Sequence, residues 1–168
     1  MDQINKKTSP SFEEFMAKID TARQSGGVDL SVTEDLSLAV MNLISLEEHF
    51  FFTAMKTGHD EYLDTSAEIR QLRKDLLAGL MPNHEGETWC ASKHLLSATM
   101  RLIEVANKLQ SENKKTEALK FFKQAYQVYA LFWALKLKLI KVDQIKTEAV
   151  RSDRLEDLVT KLANCCQE

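Results

Sequence analysis

Proline and glycine are scarce in this chain, with 2 and 5 residues respectively among 168. Both interrupt helices, so long stretches free of either point to a helical protein and away from a turn-rich β fold. Cysteine is also sparse. Cys90, Cys165 and Cys166 are odd in number and two of them are adjacent, so they outline no disulfide framework. Reduced thiols in a cytoplasmic setting are the expectation. No segment reaches the roughly 18 uncharged apolar residues of a membrane span, so no membrane partner is expected. The opening stretch MDQINKKTSPSF is polar and lacks the apolar core of a secretory signal. The closing CCQE has a Cys at the prenylation position but neither the aliphatic neighbour nor the last residue that such a signal uses. Neither sign of charge dominates, since 22 basic residues face 25 acidic ones for a net charge of −3. That balance supplies no global attraction to phosphate backbones, and a nucleic-acid partner is not expected.

Familiar catalytic patterns are missing as well. Di-iron carboxylate bundles need Glu three residues before His. The residues in that place before His49, His59, His84 and His94 are Leu46, Lys56, Met81 and Ala91. There is no H-E-x-x-H, and Gly26-Gly27 lacks the Gly-Lys-Ser/Thr of a phosphate loop. A helical ribonuclease of the HEPN type places Arg before His, whereas here His94 precedes Arg101. No cofactor, catalytic residue or metal site is assigned from the sequence.

What is present is ordinary globular material, 44% hydrophobic and 28% charged, which excludes a disordered chain. Ser11 with Glu14 forms a capping box for a first helix over Ser11–Gln24. Ser31 with Glu34 forms another, opening a long helix that ends near Gly58. Further helices are predicted over Asp60–Leu80, Glu87–Gln110 and Thr116–Lys141, with a more polar, kinked stretch after them. Residues 1–168 therefore read as a single helical-bundle domain, with 1–10 as a flexible tail. The expected fold is all-α: an antiparallel four-helix bundle core with additional short N- and C-terminal helices. Leu102, Val105, Ala106, Leu109, Ala118, Phe122 and Ala125 resemble a lone tetratricopeptide hairpin, a stretch of about 24 residues. One repeat away the matching positions hold charges such as Asp75 and Glu156, and Ala130 replaces the expected proline. The resemblance thus implies a packed helix pair, not a repeat array.

Helical wheels at about 100° per residue locate where the pattern breaks. On the second predicted helix Glu47 falls inside an arc of Leu36, Val40, Leu43, Ile44, Leu46, Phe50, Phe51 and Ala54. On the third, Arg73 falls inside an arc of Tyr62, Leu63, Ile69, Leu72, Leu76, Leu77 and Leu80, with Arg70 at its edge. An unpaired buried charge is very costly, so the two helices are expected to bring Glu47 and Arg73 together. The result is either a structural ion pair or a polar pocket in which Glu47 has a raised pKa and acid–base capability. On the fourth helix Trp89, Cys90, Lys93, His94, Arg101 and Glu104 form the most varied cluster. Cys90 and His94 share a face, a weak zinc signal without a second pair. Leu38, Met41 and Phe52 on the second helix, and Leu131 and Leu135 on the fifth, fall outside the main apolar arcs. Surplus apolar faces are covered by end helices or by another chain.

The expected function is that of a non-enzymatic helical bundle acting through a protein partner or a homodimer. Glu47, Arg70 and Arg73 form its polar cluster, with Trp89, His94 and Arg101 beside it. The alternative is a small-ligand, phosphate-binding or hydrolytic site using Glu47, Arg73, His94 and Arg101.

Overall fold

Among the described residues three helices contain no Gly or Pro, and the remaining one, Glu61–Leu80, has a single Gly in its last turn. The computed structural model describes residues 30–82 and 87–142, and Thr21 besides. Its elements are α1 (Leu30–Thr57), α2 (Glu61–Leu80), α3 (Thr88–Ser111) and α4 (Lys115–Lys136), with no strand among the described residues. The protein is all-α. No helix among the described residues is long and apolar enough to cross a membrane. The first helix predicted from the sequence and the chain beyond Val142 lie outside the described residues.

Local chemistry sets the helix ends. Gly58 stops α1 at φ 72°, a conformation that suits a residue without Cβ, and its N–H donates to the Ala54 carbonyl at 2.9 Å. Pro82 follows α2. α3 and α4 close with the same backbone device, a left-handed residue followed by a six-to-one hydrogen bond. In α3 the left-handed residue is Asn113, and the Lys114 N–H donates to the Leu109 carbonyl at 2.9 Å. In α4 it is Lys138, and the Leu139 N–H donates to the Ala134 carbonyl at 2.9 Å. The last helix therefore ends at Lys136, short of the predicted Lys141. Turning there carries Leu139 and Ile140 into the core. α1 is described from Leu30, one residue before Ser31.

The helices pair in chain order, α1 on α2 and α3 on α4, with a smaller contact between α1 and α3. Partners run in opposite directions along α1 and α2: Phe50 stacks on Tyr62, and the earlier Glu47 meets the later Arg70 and Arg73. The connection from α3 to α4 is three residues long, so the chain folds straight back. Ala106, Ala118 and Ala125 are buried there, at positions of the tetratricopeptide-like pattern.

The shared core draws on all four helices: Val40 and Met41, Leu77 and Leu80, Leu96, and the run Tyr129–Leu135. Every residue of that run is buried. This corrects the placement of Leu131 and Leu135 on a polar face, and Met41 is likewise interior. A wheel divides a helix into two sides, whereas the end of α4 is enclosed all round. One polar contact crosses the core. Ser37 Oγ donates to the Glu34 carbonyl at 2.7 Å, which commits its single proton, so the Tyr129 hydroxyl donates to Ser37 at 2.6 Å. Burial raises the Tyr129 pKa.

Candidate functional site

α1 and α2 present a carboxylate and two guanidiniums to one another at mid-length. Glu47 Oε1 accepts from Arg70 Nε at 2.6 Å, and Glu47 Oε2 accepts from Arg73 Nε at 3.0 Å. Ser66 Oγ donates to the Glu47 main-chain carbonyl at 3.2 Å. Both side-chain oxygens and the backbone of Glu47 are thus tied to α2. The three side chains differ in exposure: Arg73 6%, Glu47 18% and Arg70 52%. Arg73 is an interior cation and Arg70 its outer counterpart. Partial burial would raise the Glu47 pKa, but the hydrogen bonds and charges of Arg70 and Arg73 outweigh it and hold the carboxyl below its ordinary value. The raised pKa needed for acid–base work is therefore not what this geometry produces.

α3 crosses α1 beside this cluster, and a recess opens on each side of the crossing. The first, of about 330 Å³, brings Glu47, Arg70 and Arg73 together with Lys93, His94 and Ser97 of α3. The second, of about 510 Å³, is lined by Ser45, Glu48, His49, Phe52 and Lys56 of α1 and by Arg101. Arg101 Nη2 donates to Ser45 Oγ at 2.7 Å and lies 3.2 Å from Glu48 Oε2. Glu48 borders both recesses.

Glu47, Arg70, Arg73 and His94 are therefore brought together, while Arg101 stands across the crossing from them. Trp89 packs against the core. Lys93, Ser97 and Glu48 belong to the recesses but escaped the sequence-based selection. Lys93 stood in the same varied α3 cluster as His94 and could have been chosen with it. Glu48 gave no signal, because its wheel position is simply polar. Among the described residues no three His, Cys, Asp or Glu are grouped to hold a metal ion, and Cys90 is an exposed free thiol.

Three large apolar side chains crowd the last turns of α1 in contact with water. Phe51, Phe52 and Met55 are 46%, 52% and 57% exposed, so Phe51 does not face the core as its place in the apolar arc predicted. The two rings meet edge to face at 5.2 Å.

No family model, no curated protein and no solved structure matches this chain.

Proposed function

We propose that this chain is a non-enzymatic interaction protein, a four-helix bundle in a reducing cytoplasmic setting, that associates with a second copy of itself through the C-terminal half of α1. The observation that carries the reading is the exposure of Phe51, Phe52 and Met55 within five residues. Two exposed aromatics beside a methionine are the kind of apolar surface that interfaces use.

Charge spacing favours a second copy as the occupant. Glu48 and Lys56 each stand four residues from Phe52, on the same helix face and on opposite sides of it. If two α1 helices cross antiparallel with a two-fold axis at Phe52, Glu48 of each faces Lys56 of the other. Such a contact is self-complementary, as closed dimers require. Arg101 holds the Glu48 carboxylate in place at 3.2 Å.

Sedimentation equilibrium tests the reading. The wild-type protein is expected to show a dimer mass that shifts toward monomer with Phe52→Asp. Lys56→Glu should weaken the dimer about tenfold, and Glu48→Lys combined with Lys56→Glu should restore much of it, since opposed like charges repel and swapped charges pair again. A wild-type monomer at all attainable concentrations would overturn the proposal.

A further inference from the structure

The recess between α1, α2 and α3 holds more positive charge than its own carboxylates balance. Arg70, Arg73 and Lys93 line it against Glu47 and Glu48. Glu47 serves two guanidiniums at once, and Glu48 is engaged by Arg101 from across the crossing. Lys93 has no ion-pair partner among the described residues although it is partly buried. His94 and Ser97 lie one residue and one turn from it, and their side chains make no hydrogen bond to the described residues. This concentration of cations occurs in a chain whose net charge is −3.

We infer that this recess is an oxyanion site, taking a carboxylate or a phosphate group. Lys93 supplies the charge, while His94 and Ser97 supply further donors from the same helix. Arg70 contributes the guanidinium edge that Glu47 leaves open. The role of Glu47 is positional. Its two oxygens fix Arg70 and Arg73 through their Nε atoms, so the cations are held before the anion arrives and little side-chain freedom is lost on binding. Guanidinium and ammonium groups gathered in one concave place are what recognition of such groups employs. Volume agrees with a small ligand group, since about 330 Å³ lies at the lower end for ligand pockets. The recess shares Glu48 and Phe51 with the α1 face proposed for self-association, but its cations and donors, Arg70, Lys93, His94 and Ser97, come from α2 and α3.

The test is an NMR titration of the full chain with inorganic phosphate and, separately, with acetate, at constant ionic strength. Saturable shifts of the His94 ring and of the Lys93 and Ser97 amides are expected with at least one of them. Saturation by phosphate alone assigns the site to phosphoryl groups, and saturation by acetate as well assigns it to carboxylates. Lys93→Gln should weaken binding at least tenfold, His94→Asn should weaken it less, and Lys93→Arg should retain it. Lys108→Gln, a cation elsewhere on α3, should leave binding unchanged. Linear shifts with both anions, or an equal loss in Lys93→Gln and Lys108→Gln, would overturn the site.

Discussion

Arg73 occupies a place where helix periodicity asks for an apolar residue, and it is tolerated there because Glu47 reaches it from the neighbouring helix. Removing one partner of a buried pair leaves the other uncompensated. Arg73→Ala exposes Glu47 to that loss and also removes the buried side-chain stem. We expect it to lower unfolding free energy in urea by about 3 kcal/mol, toward the low end for buried pairs because the carboxylate keeps some contact with water. Arg70→Ala removes a half-exposed partner of the same carboxylate and should cost less than about 1 kcal/mol. Equal losses from the two variants would contradict the burial difference between them. The pH dependence follows from Glu47, whose folded pKa lies below its ordinary value of 4.5. Folding therefore favours the charged form. That contribution is complete above pH 4.5 and is lost as the pH falls through the folded value. Stability of the wild-type protein should fall more steeply below pH 4.5 than that of Glu47→Gln, as measured by urea midpoints across that range. The meeting of Glu47 and Arg73 was legible in the sequence because a charge inside an apolar arc is a local signal. The Ser37–Tyr129 bond was not, since its partners lie 92 residues apart and each is unremarkable on its own helix.

At the scale of helices, the main elements followed from scarce Gly and Pro and from apolar periodicity, and most predicted ends fell within two residues of those observed. The exception is instructive. Nothing in Lys136–Lys141 resembles a stop signal, so the sequence reads as continuing helix. The chain turns at Lys138 because Leu139 and Ile140 are buried by turning, a tertiary gain that outweighs local preference. The price is a lysine with φ 56°, a conformation that costs a residue with Cβ about 1–2 kcal/mol. Lys138→Gly relieves that strain but loosens the unfolded chain, so a net gain of about 0.5–1 kcal/mol is expected by thermal or urea unfolding. A loss of stability would mean that the turn is not strained as described. Gly58 presents the complementary case at φ 72°, where chemistry and conformation already agree.

For the whole molecule, the two hairpins share a core at the end of α4 and meet less extensively where α3 crosses α1. Beside that crossing lie two surfaces with different chemistry, a cationic recess and an apolar face flanked by Glu48 and Lys56, which meet at Glu48 and Phe51. Neither surface could be assembled from wheels alone, because both combine side chains from helices whose crossing the sequence does not specify. The apolar surplus on α1 was nonetheless visible, with Phe52 already outside the main arc. Its proposed partner is a second α1 running antiparallel, which fixes a register that can be read directly. A cysteine at position 52 should then stand opposite its own copy, within reach of a disulfide. With the native cysteines replaced by serine, mild oxidation of Phe52→Cys should yield mostly covalent dimer on a non-reducing gel, while Leu38→Cys, about four helical turns from the proposed axis, should run as monomer. Monomer alone from Phe52→Cys, or equal cross-linking from Leu38→Cys, would contradict the interface.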